Sequence, residues 1–160
     1  MSEVLLAIES YSSKYKRTDI VFDVYRSSSL KAEIRSKRRY GVRRRVTGSG
    51  KIPSSWRNFL PDNDNKTVLF MFLADKIAQM STTTAVIVTK EEHAVCTHSI
   101  NLSEIMPCIH EEADTRIVLH ARHAAKEGSK VIMIKTNDTD VLVIAISVPL
   151  LLQQIGIVQL

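Results

Sequence analysis

Residues 110–116 read His-Glu-Glu-Ala-Asp-Thr-Arg, and residues 131–140 read Val-Ile-Met-Ile-Lys-Thr-Asn-Asp-Thr-Asp. Between the two acid groups, Ala113, Ile117, Val118, Ala121, Ala124 and Ala125 recur at helical spacing and stop at Gly128. Glycine accepts the left-handed backbone that ends a helix. Val131 to Ile134 is an unbroken apolar run of the kind a strand covered on both faces shows. The stretch therefore predicts one helix followed by one strand. Acids stand at the start of the helix and just after the carboxyl end of the strand. In an open α/β sheet those two places are neighbours. Carboxylates gathered there repel one another unless a cation neutralises them, which is the physical case for a metal site.

Working outward, the pattern repeats. Val4, Leu5, Ile8, Tyr11 and Tyr15 predict an amphipathic helix over 3–15. Ile20 to Phe22 predict a short core strand that ends in Asp23. A Ser-rich cap at 27–29 opens a basic helix from Leu30 to about Val46, followed by a flexible linker at 47–50 and a loop over 51–65. Trp56 and Phe59 are expected to tuck that loop against the domain. Asn65 or Thr67 caps a helix of about 66–80, and Ala85 to Thr89 and Ala94 to Thr97 read as strands. Residues 141–147 read as strand or buried helix, and 149–158 as helix. Strands alternating with helices argue for an α/β fold with a mainly parallel central sheet, in a single domain over 1–160.

The chain has 160 residues, enough for a real core, with 44% hydrophobic and 24% charged residues, as globular domains have. Two cysteines make no disulfide framework, which points to a reducing, intracellular setting. No signal peptide is visible, and the apolar run 141–152 is too short to span a bilayer and is interrupted by Pro149. The net charge of +5 hides an asymmetry: residues 26–57 carry 11 Lys plus Arg and one acid, leaving 11 basic and 16 acidic residues elsewhere. A local cationic block of this kind binds polyanions, serves as a nuclear-localisation run, or is a solvated helix face.

Three segments supply candidate ligands: Asp23; the group Glu111, Glu112 and Asp114; and Asp138 with Asp140. Hard divalent cations such as Mg²⁺ favour such oxygen donors. Asp114 shares its helix side with Ile117, Val118 and Ala121, where a charge is costly unless paired or metal-bound. Each acid taken alone also fits an ordinary first-turn or turn position. Cys96 with His98 and Cys108 with His110 could hold a structural zinc, but the Cys-x-His spacing is not a usual zinc pattern, and buried cysteines with surface histidines are the simpler account. His110-Glu111-x-x-Asp114 lacks the second histidine of a zinc-protease helix. His120 and His123 are taken as polar-face residues.

These residues resemble a known family. Val-Phe-Asp (21–23), followed by Lys31, Glu33, Arg35, Arg38 and Arg39, is similar to the flap endonuclease signature. Glu112-Ala-Asp114 resembles that family's Glu-Ala-Glu helix start, and Asp138-Thr-Asp140-Val-Leu its Asp-x-Asp motif. More narrowly, the chain is similar to PIN-like domain proteins of animal genomes, often beside mobile elements. The resemblance implies a three-layer α/β/α PIN-like fold. It also implies a Mg²⁺- or Mn²⁺-dependent nuclease-like function on nucleic-acid phosphodiesters. Asp23, Glu112, Asp114, Asp138 and Asp140 would be the catalytic metal ligands, and Lys31, Arg35, Arg38 and Arg39 the nucleic-acid contacts. The family's first acid-bearing strand and its later acid have no counterpart here, so the expectation is a truncated domain. The alternative is a non-catalytic nucleic-acid-binding or protein-interaction domain that keeps the fold.

Overall fold

The computed structural model describes residues 2–25, 43–44, 46–47, 53–148 and 155–159. They form an α/β protein. In chain order its elements are α1 (Ser2–Ser12), β1 (Arg17–Ile20), α2 (Trp56–Phe59), α3 (Asn63–Ala78), β2 (Ala85–Lys90) and β3 (His93–Cys96). The long helix α4 (Ala113–Lys126), β4 (Ile132–Thr136), α5 (Thr139–Ile146) and β5 (Ile155–Gln159) follow.

Two small sheets carry the strands. In the first, the order is β1-β2-β3. β1 runs parallel to β2, with Asp19 opposite Ile87, and β3 is antiparallel to β2. In the second, β4 pairs parallel with β5, Ile134 lying opposite Ile157. The three-stranded sheet is therefore mixed, with one parallel and one antiparallel pairing, and the parallel pair β4–β5 stands apart from it. β2 is buried from Val86 to Thr89, as its unbroken apolar run requires. Val86 and Val88 pack with Ala74 and Ile77 of α3 and with Leu5 and Ile8 of α1. Ile87 points the other way, into Leu102, Ile105 and Leu119 of α4.

α4 packs against both sheets. Its two buried stripes differ in chemistry. Val118 and Ala121 pack on Ile134 of β4 and on Val141 and Ala145 of α5. Arg116, His120 and His123 turn instead toward β1 and the chain after it. His123 meets Arg17, His120 meets Asp19, Arg116 meets the carbonyl of Phe22, and the Ala113 amide meets Asp23. Partner numbers rise on one side as they fall on the other, so β1 and its extension run antiparallel to α4.

Several expectations need correction. β1 ends at Ile20, so Asp23 sits in an extended segment beyond the strand; there the Phe22 amide donates to Thr89 Oγ1 and the Val24 amide to the Glu111 carbonyl. α3 starts at Asn63 because Asp62, buried, accepts from the Asn65 amide at 3.0 Å; neither Asn65 nor Thr67 is the cap. Phe59 is buried as expected, but Trp56 is exposed. Of the two readings left open for 141–147, the structure takes the helix, over Thr139–Ile146. Ile155–Gln159 is a strand, not part of a helix, because β4 offers it a parallel edge. The basic helix expected from Leu30 lies outside the described residues, except that Arg43, Arg44 and Val46 are not helical.

Candidate functional site

The amino-terminal end of α4 is where the predicted acids meet other elements. Glu112 is the residue before the helix, yet its side chain makes no capping bond there. The cap comes from far away in sequence: Asp23 Oδ1 accepts the Ala113 amide at 2.7 Å. Oδ2 of the same carboxylate accepts the Tyr25 hydroxyl at 3.0 Å. A carboxylate offers about four acceptor positions, so these two bonds leave capacity for a further partner. Asp114 lies in the first turn, half-buried, and its Oδ1 accepts from the Thr115 amide. Asp114 stands one helical turn before Val118 in α4.

Asp138 and Asp140 stand after β4. Asp138 is the cap of α5 and accepts the Asp140 amide at 2.9 Å; both residues are exposed. The short connection 127–131 returns the chain onto α4, and β4 runs back along it. At about 3.3 Å per strand residue and 1.5 Å per helix residue, β4 retraces roughly 16 Å of a helix roughly 21 Å long. Asp138 and Asp140 therefore lie toward the same end of the molecule as the start of α4. Among the described residues, however, no three His, Cys, Asp or Glu side chains come together as a metal-binding group. Asp23 meets the start of α4, while Asp138 and Asp140 contact each other at the start of α5. The donor set is all oxygen, which in chemistry suits Mg²⁺ or Mn²⁺ better than zinc. The Cys/His pairs form no such group either: Cys108 is buried, while His98 and His110 are exposed.

Arg116 positions the Asp23 segment. It is 1% exposed, and its guanidinium donates to the carbonyls of Phe22 at 3.4 Å and Glu91 at 2.6 Å. Glu91 has a left-handed backbone with φ of 52° at the β2–β3 turn. One cation thus ties the chain before Asp23 and the hairpin turn to α4. The sequence signal for this was weak, since an arginine two residues after Asp114 reads as surface.

The larger surprise is a polar network under α4. Arg17 binds Asp19 through two bonds of 2.7 Å. His120 Nδ1 donates to Asp19 Oδ2 at 2.7 Å. Arg17 Nη1 donates to His123 Nδ1 at 2.9 Å, which leaves His123 Nε2 to donate to the Asn101 carbonyl at 3.0 Å. His120 and His123 are each 3% exposed, so both are buried and not polar-face residues. Burial raises the Asp19 pKa, but hydrogen bonds and charge from Arg17 and His120 outweigh it and hold the carboxyl below its ordinary value.

The predicted contacts Lys31, Arg35, Arg38 and Arg39 lie outside the described residues. Arg43 and Arg44 of the same block are described and exposed. The Arg44 amide donates to Asn65 Oδ1 at 2.8 Å, which anchors the end of the basic block at the first turn of α3. No helix among the described residues is long and apolar enough to cross a membrane. Compared with protein-family models, curated proteins and solved structures, the chain matches none.

Proposed function

We propose that this chain is a PIN-like, three-layer nuclease-type domain that binds nucleic-acid phosphodiesters along an acidic edge and takes Mg²⁺ or Mn²⁺ there together with the phosphate. The observation that carries this reading is the meeting of Asp23 with the Glu112–Asp114 helix start across 90 residues of chain, with Asp138 and Asp140 toward the same end. An edge of this kind repels a bare polyanion. The basic block would supply the opposite charge and draw the strand in; of its residues, Arg43 and Arg44 are exposed and the Arg44 amide binds Asn65. Mg²⁺ commonly binds through one or two carboxylates plus substrate phosphates and retains several waters, so a cage of three protein ligands is not required in advance. Asp23, Glu112, Asp114, Asp138 and Asp140 would be the residues to hold the ion, which would neutralise them toward the phosphate. A bound divalent ion would supply stabilisation of charge developing on the phosphoryl oxygens. The chain's own contribution is to fix Asp23 through the Ala113 amide and Tyr25, and to hold the strand by its cations.

The test is cleavage of labelled single-stranded and flapped DNA with Mn²⁺, beside an Asp138→Asn/Asp140→Asn variant. Cleavage lost in the variant supports the catalytic reading. Cleavage equal in both proteins belongs to a contaminant. Salt-sensitive binding without cleavage supports the alternative, a non-catalytic nucleic-acid-binding domain. That alternative is favoured by one observation: Asp23 and Asp138 already serve as helix caps.

A further inference from the structure

A cleft lies on the carboxyl-terminal half of α4, away from Asp23. Leu119, Arg122, His123 and Lys126 are spaced i, i+3, i+4 and i+7, so they share one face of the helix. That face looks onto Glu104 and Ile105 of the connector between β3 and α4, and these residues enclose about 210 Å³. The floor is apolar and firm. Ile105 is 2% exposed and belongs to the core around Ile87, with half-buried Leu119 packed beside it. The inner wall is His123, buried and held at both ring nitrogens by Arg17 and the Asn101 carbonyl. The rim is charged. Lys126 Nζ reaches from the helix to Glu104 Oε2 at 2.6 Å, with both side chains about half exposed. Such exposed pairs hold their partners weakly. Arg122 is exposed, and among the described residues its guanidinium has no hydrogen-bond or ion-pair partner. Two cations thus face one carboxylate over an apolar floor, and one of them has its planar fork unused. That fork matches a carboxylate through two parallel hydrogen bonds. Size and charge narrow the ligand further. The cleft is smaller than the roughly 300–1,000 Å³ of sites for drug-sized molecules. Glu104 and the carbonyl end of α4 leave compensation for about one negative charge, which disfavours a phosphate dianion.

We propose that this cleft binds a small aliphatic monocarboxylate, its carboxylate on Arg122 and its hydrocarbon group on Ile105 and Leu119. A free short-chain acid carries this chemistry, and so does the last residue of a polypeptide when its side chain is aliphatic. Arg122 stands nine residues along α4 from Ala113, roughly 14 Å at the helical rise. The site is therefore separate from Asp23 and does not rest on the nuclease-type reading.

The experiment titrates the full chain with isocaproate, isocaproamide, acetate and inorganic phosphate, followed by backbone amide NMR shifts. Isocaproate should bind with a Kd on the order of 1 mM, the usual strength for a ligand of its size. Isocaproamide and acetate should each bind roughly ten-fold more weakly, one lacking the charge and the other the hydrocarbon. Arg122→Gln should erase the preference for acid over amide without moving the melting temperature, because Arg122 is exposed and bonds to no described residue. Glu104→Gln should tighten isocaproate, since it removes the opposing carboxylate. In a second arm, N-acetyl-leucine binding more tightly than isocaproate assigns the site to a chain terminus, and weaker binding assigns it to the free acid. Equal affinity for isocaproate and its amide overturns the proposal. So does a folded Arg122→Gln chain that keeps the preference, phosphate binding more tightly than isocaproate, or an absence of saturable shifts around Ile105 and Arg122. Each of these results leaves the nuclease-type reading standing.

Discussion

Removing the carboxylate of Asp19 should be among the most damaging single changes available in this chain. The side chain is 17% exposed and its partner Arg17 11%, so the pair is largely withdrawn from water. Asp19→Ala leaves the guanidinium without its bidentate partner and leaves the His120 Nδ1–H without an acceptor. Breaking a buried pair by deleting one partner costs about 3–5 kcal/mol, because the remaining charge stays buried. Against a total stability of roughly 5–15 kcal/mol for a domain, that is about a fifth or more. Urea unfolding followed by circular dichroism should show a midpoint about 2 M lower with an unchanged slope. Replacing both partners, Arg17→Met with Asp19→Leu, should cost far less than Asp19→Ala alone, since an apolar pair of similar volume leaves no orphaned charge. The pH dependence has a definite sign. Asp19 has a folded pKa depressed below its unfolded value of about 3.9, so its contribution is complete above that value. It is lost as pH falls further, through the folded pKa. The wild-type chain should therefore lose stability below about pH 4 more steeply than Asp19→Asn. A loss under about 1 kcal/mol in Asp19→Ala, the range of surface pairs, would refute the claim that this network is buried and coupled. So would a double variant as unstable as the single one.

Other perturbations separate structural from functional roles. Asp23→Ala removes the acceptor for the Ala113 amide and should cost about 0.5–2 kcal/mol in thermal or urea unfolding. Asp23→Asn keeps a capping oxygen and should stay close to wild-type stability while losing any Mn²⁺-dependent cleavage; equal loss of stability in both would deny the capping role. Gly128 has φ of +91° with nothing within 4 Å of a built Cβ. Gly128→Ala should therefore cost about 1 kcal/mol from backbone strain alone, and a neutral result would mean that α4 ends differently.

Much of α4 and β4 was legible because their signals are local. The helical recurrence from Ala113 to Ala125, closed by Gly128, gave bounds within a residue or two of Ala113–Lys126. Ala85 to Thr89 gave β2, because a fully covered strand is apolar on both faces; Val131 to Ile134 marked β4, but that strand is covered on one face only, with Ile134 buried and Val131 and Met133 exposed. β1 was displaced for the opposite reason. Arg17 and Asp19 look like loop residues until their mutual pairing is known. Apolar periodicity is equally blind to His120 and His123, which are buried by hydrogen bonds to β1 and to Asn101 and not by hydrophobicity. Short apolar runs carry no period of their own. Val141 to Ser147 became helix because Asp138 caps it, and Ile155–Gln159 became strand because β4 pairs with it.

The same division explains what was legible of the candidate site. The acids were visible because they punctuate local elements, but a sequence gives no measure of how close their carboxylates come. That depends on α4, whose polar stripe fixes Asp23 through β1 and whose apolar stripe fixes Asp138 through β4. The two stripes bind with different chemistry. The apolar one tolerates small shifts, whereas the hydrogen-bonded one, from His123 to Ala113, is geometrically strict. The Asp23 side of the edge is therefore held tightly against α4, and the Asp138 side rests on softer packing.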